Sequence, residues 1–203
     1  MTTRVTILVF DDVEVLDFAG PYEVFTTASR VHGRSQPDEP PLFEVVCVSN
    51  GGQAITARAG LKVLPEHSFA NCPPCDVLIV PGGVVNAAMH CTDTLRWIAE
   101  TPTQADLTAS ICTGVFLLAA SGVVQTDEVT THWEDIADLR QQFPALTVVE
   151  GVRWADSGRL VTSAGISAGI DMSLHLVGRL KGLDVAQRTA LQMAYRWEMN
   201  QTR

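Results

Sequence analysis

The sequence predicts a three-layer α/β sandwich around a mostly parallel sheet, and three observations predict it. Short, nearly continuous apolar and β-branched runs recur along the chain, as strands covered on both faces do. Helical stretches alternate with these runs through most of the length. The 203 residues, 46% apolar and 18% charged, hold material for one sizeable core and read as a single domain over 1–203.

Val5–Phe10 is the first such strand, ended by Asp11-Asp12. Gly20-Pro21 leads into Tyr22–Phe25, with Pro21 suited to a first helical turn. The polar, Pro-containing stretch Val31–Pro41 reads as a loop, and Phe43–Val48 as the second strand. Ala54–Val63 alternates loosely around Ala59-Gly60 and reads as a small hairpin. Asp76–Val80 is another buried-type strand and runs directly into Pro81-Gly82-Gly83. A helix is expected over Thr92–Glu100, closed by Pro102.

Leu107–Ile111 is the next strand, and Cys112 follows it. Gly114–Ala120 reads as an apolar helix ending at Gly122. Strands are expected at Val129–Thr131 and Leu146–Val149, with a helix over Glu134–Gln142 between them. Asp156-Ser157-Gly158 is a turn signal between Val152–Trp154 and Arg159–Thr162. Two helices finish the chain. One covers Ile170–Leu180 and stops at Gly182; the other opens with Asp184 and Gln187, spaced as a capping box, and runs to about Met199.

Fourteen Lys and Arg against 23 Asp and Glu give a formal net charge of −9, which repels nucleic-acid phosphates, and no basic run makes a local exception. A regulator touching DNA would need an appended basic domain, which the sequence to Arg203 is not expected to supply. The N-terminus makes a poor signal peptide, and no window reaches 18 uncharged apolar residues. The expectation is a cytoplasmic protein without a membrane partner. An odd number of cysteines, five, argues against a disulfide scaffold.

In open α/β sheets, ligands sit beyond the C-terminal strand ends. Three segments place unusual residues there: Asp17, Gly82-Gly83, and Cys112-Thr113-Gly114. Cys112, between strand and helix, meets unpaired N–H groups and the helix dipole, which predicts a lowered thiol pKa and a nucleophile. Its bland alternative is a buried structural cysteine. Gly82 and Gly83, with the Thr113 N–H, can form an oxyanion-type site opposite Cys112. Asp17 is either a helix cap or a carboxyl whose raised pKa lets it move a proton. His132 is either a general base or a polar residue lining the pocket, and Val85–Met89, Phe116 and Ile166 are further pocket liners.

Gly165-Ile166-Ser167-Ala168-Gly169 has the GxSxG spacing of hydrolases, but it lacks acid and histidine partners in the required order and reads as close packing. Cys72 and Cys75, separated by two prolines, and Cys91 read as loop cysteines without a role. With no GxGxxG after the first strand and no Walker A run, no nucleotide cofactor is implied.

Leu16–Pro21, Val80–Gly83, Ser110–Gly114, Thr130–Trp133 and Gly165–Asp171 together resemble the DJ-1/PfpI (ThiJ) superfamily, most of all its isocyanide hydratase branch and the amidotransferase-like sensor domain of AraC-type regulators. The resemblance implies a flavodoxin-like, class I glutamine amidotransferase-like fold and a homodimer. It implies Cys112 as nucleophile, Asp17 as its acidic partner, Thr113 beside it, and Gly83 with its N–H facing the site. No cofactor or metal is implied, and the partner is a small molecule. Proteolytic and amidotransferase relatives carry histidine directly after the cysteine; Thr113 stands here instead, which speaks against those activities. Three readings follow: cysteine-dependent hydration of an isocyanide to an N-substituted formamide, a glyoxalase- or deglycase-type activity, and a non-enzymatic ligand or redox sensor. Asp17 speaks against the second, because relatives of that kind use glutamate there.

Overall fold

The structure, a computed structural model, describes residues 1–101 and 107–200. In chain order its elements are β1 (Thr3–Leu8), α1 (Val15–Ser35), β2 (Phe43–Ser49), β3 (Ile55–Thr56), β4 (Lys62–Val63), β5 (His67–Ser68) and β6 (Val77–Val80). There follow α2 (Asn86–Met89), α3 (Thr92–Glu100), β7 (Leu107–Ile111), α4 (Gly114–Ala120), β8 (Glu128–Val129), α5 (Ile136–Gln142) and β9 (Thr147–Val148). The last are β10 (Trp154–Asp156), β11 (Leu160–Ser163), α6 (Ala168–Lys181) and α7 (Leu183–Gln192). The expected stop of α3 at Pro102 lies outside the described residues.

Seven strands form one sheet in the order β10-β11-β7-β6-β1-β2-β5. Every pairing is parallel except the β10–β11 hairpin at one edge. This is the α/β architecture that the apolar runs predict. Because side chains alternate along a strand, neighbours in β1 feed different cores. Ile7 joins Phe25, Met172 and Val177 of α1 and α6, whereas Leu8 joins Ile98, Val115 and Leu118 of α3 and α4. The helices pack accordingly, α1 with α6 and α7, and α3 with α2 and α4. Among the described residues no helix is long and apolar enough to cross a membrane.

Strand β10 lies two residues later than expected, and both ends of α1 and of α7 differ from expectation. Helix α1 begins at Val15, so Pro21 is interior and Asp17 sits in the first turn. Proline there leaves the Asp17 carbonyl without its helical donor. The helix also continues to Ser35 through the expected loop. Val31 is buried, and Arg34 Nη1 donates to Gln192 Oε1 at 2.6 Å, which fastens the last turns to α7. At the other end, α7 stops at Gln192 because a buried carboxylate captures the tail. Asp171 Oδ1 accepts the Glu198 N–H at 2.9 Å, Trp197 Nε1 donates to the Asp171 carbonyl at 3.2 Å, and Arg153 pairs with Asp171 Oδ2. The capping box at Asp184 is not formed; Gly182 precedes α7 and Asp184 lies inside it.

The short strands β8 and β9 pair with each other, apart from the main sheet. The β3–β4 hairpin and the β10–β11 hairpin occur where turn residues signal them.

Helix α4 rests directly on the end of β6. A Cβ on Gly114 would overlap the Val80 carbonyl oxygen and lie 2.9 Å from Pro81. Gly114→Ala is therefore expected to cost about 1–3 kcal/mol through overpacking, read as a lower urea midpoint at unchanged slope. An unchanged midpoint would contradict this contact.

Candidate active site

The chain leaves β1 toward β2 on one side, and leaves β6 toward β7 on the other. The sheet order therefore reverses between β1 and β6, and a crevice opens at their C-terminal ends. Two loops are zipped together there. Glu14 N donates to the Gly82 carbonyl at 2.9 Å, Val84 N donates to the Asp12 carbonyl at 3.0 Å, and Val13 and Gly83 form a bridge. Only glycine permits this approach. A Cβ on Gly82 would come within 2.6 Å of Thr113 N and Oγ1, and one on Gly83, whose φ is +132°, would overlap the Asp12 carbonyl oxygen and Glu14 N.

Cys112 leaves β7 with φ +55°, a left-handed conformation rare for a residue with a Cβ. Ile166, with φ +46°, is another such residue, and its N–H reaches the Cys112 sulfur. The strained turn is held on several sides. Thr131 Oγ1 donates to the Cys112 carbonyl at 2.8 Å, and Cys112 N donates to the Ser163 and Ala164 carbonyls at 3.2 and 3.3 Å. Strain of this kind persists where surrounding structure over-determines it, and it clusters at functional sites. The Thr113 and Ile166 N–H groups favour negative charge on the sulfur.

Asp17 is wholly buried. Its Oδ2 accepts the Gly82 N–H at 3.0 Å, and Oδ1 has no hydrogen-bond partner among the described residues. Burial pushes its pKa up to about 7, and Glu14 adds to the rise; the Gly82 N–H, the Cys112 side chain and Arg58 oppose it. The Cys112 thiol is also pushed up, to about 12, first by burial and then by the Asp17 carboxylate. That corrects the lowered thiol pKa expected from the helix N-terminus. Desolvation and a like charge outweigh two N–H groups.

The backbone donors are also disposed differently from expectation. The Gly83 N–H donates to Thr113 Oγ1 at 3.0 Å, and that hydroxyl returns a bond to the Gly83 carbonyl at 2.9 Å. The Gly82 N–H is taken by Asp17. These glycines therefore position Asp17 and Thr113, and the N–H groups turned to the sulfur belong to Thr113 and Ile166.

His132 precedes a short 3-10 turn. Its Nδ1 accepts the Glu134 N–H at 3.3 Å and stands 3.5 Å from Asp135 Oδ2. A Cβ on Gly165 would overlap its ring, and one on Gly169 would lie 2.8 Å from Ile111, so the small-residue run serves close approach.

Two clefts bracket the elbow. One, of about 380 Å³, is lined by Gly83, Val85, Met89, Thr113, Phe116 and Asp135. The other, of about 440 Å³, is lined by His132, Trp133, Arg153 and Ile166 among others. Ile166 thus faces a different cleft from Val85 and Phe116. Asp135 escaped the sequence reading, although its carboxylate acts on Cys112 and its own pKa is raised by burial. Its only signal was an acidic pair directly after His132-Trp133. Among the described residues, no group of three His, Cys, Asp or Glu side chains is placed to hold a metal ion.

Residues 3–179 match the DJ-1/PfpI family. The chain belongs to the DJ-1/PfpI family. It is 36% identical over 196 residues to the isonitrile hydratase of Pseudomonas putida, covering 96% of this chain and 79% of that protein. It is 27% identical over 188 residues to the HTH-type transcriptional regulator GbdR of Pseudomonas aeruginosa, covering 93% of this chain but about half (49%) of the regulator. Among solved structures, a ThiJ/PfpI family protein from Pseudomonas syringae superposes with a TM-score of 0.84 at 26% identity, over 98% of this chain and 77% of that one. The DJ-1/PfpI fold thus accounts for the sheet and the crevice.

Asp17 supplies a test of this electrostatic picture. Its folded pKa lies above its value of 3.8 in an open chain, so between about pH 4 and 7 the folded state holds more protons than the unfolded one. Stability therefore falls as pH rises through that window. Asp17→Asn keeps the shape without the charge. Its stability relative to wild type is expected to increase from pH 4 to 7, by at most about 4 kcal/mol, and then level off. Denaturant melts across pH check this; a constant difference would place Asp17 in a wetter setting.

Proposed function

We propose that this protein hydrates isonitriles (isocyanides) to N-substituted formamides, with Cys112 as nucleophile and Asp17 as its proton carrier. One observation carries the reading: a buried carboxyl with an unpaired oxygen stands beside an elbow cysteine, and burial pushes both groups up. Similarity to the isonitrile hydratase of Pseudomonas putida supports the substrate class.

Between about pH 7 and 12 the pair holds one proton, on sulfur in the resting state. As the sulfur attacks the terminal carbon of R–NC, Asp17 takes that proton and delivers it to the same carbon. The product is a thioimidate, R–N=CH–S–Cys112. Water then adds to its carbon while Asp17 relays the proton to nitrogen. Cleavage of the C–S bond releases R–NH–CHO and restores the thiol, so the sum is R–NC plus one water. The Thr113 and Ile166 N–H groups stabilise charge on the sulfur as it leaves. The 380 Å³ cleft, with Val85, Met89 and Phe116 on its walls, takes the R group. In this reading the protein needs no cofactor and works as a homodimer, which light scattering of the purified chain checks.

A second reading has one observation in its favour. A thiol pushed up to about 12 is quiet at neutral pH, which suits a sensor that binds without turnover, and half of GbdR is similar to this chain. Turnover separates the two readings, whereas alkylation of Cys112 is slow in both.

Purified protein is expected to convert alkyl and aryl isonitriles to formamides, followed by the loss of the isonitrile stretch in the infrared. Cys112→Ala should abolish this, and Asp17→Asn should lower kcat by on the order of 10²–10⁴. No Cys112-dependent formamide from any isonitrile would sink the proposal and leave the sensor.

The pH profile is a separate test. Because the active pair must have lost one proton, kcat/KM should rise up to about tenfold per unit below pH 7 and stay level to pH 10. A profile falling between pH 6 and 8 would instead assign the work to a protonated Asp17 beside a neutral thiol.

A further inference from the structure

Cys91 lies outside the elbow site, on a cleft of about 270 Å³ at the C-terminal ends of β1 and β2. It is the residue before α3, with extended backbone (φ −86°, ψ 102°), at the position where a capping oxygen usually sits. Asn50 Nδ2 stands 3.6 Å from its sulfur, and Thr94, in the first turn of α3, is buried beside it. Ser49 lines the same cleft. It is 2% exposed, and its hydroxyl has no hydrogen-bond partner among the described residues. A buried hydroxyl left unpaired is costly, and a ligand group in the cleft would recover that cost. Leu8, Phe10 and Phe69 make the remaining wall apolar, and Asp11 disfavours an anion.

The five thiols differ sharply. Burial pushes up those of Cys47, Cys72, Cys75 and Cys112. Cys91 alone is lowered, chiefly by the Thr94 hydroxyl and N–H, with Asn50 and the Asp93 N–H adding to it. It is also only partly buried.

We propose that Cys91 is a second thiol site, separate from the elbow, that exchanges with small uncharged disulfides and seats their hydrogen-bonding tail against Ser49. The Cys91 thiolate attacks one sulfur of R–S–S–R, the S–S bond breaks, and R–S⁻ leaves to take up a proton. Cys91 becomes half of a mixed disulfide, oxidised as the departing thiol is reduced.

The test is timed labelling of the native protein at pH 7 with bis(2-hydroxyethyl) disulfide, its dicarboxylate analogue, and methyl methanethiosulfonate, followed by peptide mass mapping. Cys91 should be modified at least about tenfold faster than each of the other four cysteines. The hydroxyethyl reagent should outpace the dicarboxylate. Ser49→Ala should slow the hydroxyethyl disulfide several-fold while leaving the methanethiosulfonate rate unchanged. Modification first at another cysteine, a Cys91 rate no greater than that of free glutathione, or an unaltered hydroxyethyl rate in Ser49→Ala would each overturn the proposal. Formamide production does not enter, so this outcome is independent of the proposed hydration.

Discussion

The site depends on one buried carboxyl. Asp17 has no contact with solvent, yet it sits where three segments from distant parts of the chain converge: the first turn of α1, the loop after β6 and the elbow after β7. Its Oδ2 is anchored by the Gly82 N–H, and Gly82 can approach only because it lacks a side chain. Thr113 fastens the same loop from the other side by exchanging bonds with Gly83. The geometry of Cys112 relative to Asp17 is thus set by bonds from the Asp17 and Thr113 side chains to the Gly82 and Gly83 backbone, at the ends of β1, β6 and β7. These strands lie side by side in the sheet, and shifting any one moves the pair.

Much of this was legible in the sequence because the relevant signals are local. Buried parallel strands announce themselves as apolar runs, and Cys112 sits at an abrupt change from strand to helix period. Gly82-Gly83 follows its strand without a gap. The limits of α1 and α7 were not legible, because tertiary contacts set them. Pro21 ordinarily belongs to a first turn, yet it lies within α1. Likewise Asp171 reads as one more helical acid; only its burial against Arg153 reveals that it ends α7 by drawing in Trp197 and Glu198.

The ionisation of Cys112 was the least legible feature. Position at a helix N-terminus argues for a lowered pKa, and the N–H groups that act on the sulfur do push in that direction. Two effects oppose them: the depth of burial, which no local run of residues displays, and the negative charge of Asp17. Helix α4 is also only seven residues long, so its dipole offers little against the Asp17 carboxylate. Cys91 shows the converse. It too precedes a helix, but it is only partly buried, and the Thr94 hydroxyl with the Thr94 and Asp93 N–H groups outweighs the burial that remains.

A cysteine beside a buried carboxylate differs chemically from one beside a histidine. A cysteine–histidine pair can rest as thiolate and imidazolium, a nucleophile ready for an acyl carbon. Here both forms of the pair with one proton are net anions, so charge separation gains nothing and the thiol keeps the proton until an electrophile draws on the sulfur. Such a pair suits a substrate whose attacked atom also needs a proton, because the carboxyl then moves that proton between two atoms it already faces. The terminal carbon of an isonitrile is such an atom, whereas a carbonyl carbon under attack places its new charge on a more distant oxygen. The glycine N–H groups that would receive that oxygen are already bonded to Asp17 and Thr113. On the hydration we propose, the same buried carboxyl that raises the thiol pKa therefore serves addition of sulfur and proton to one carbon better than acyl transfer.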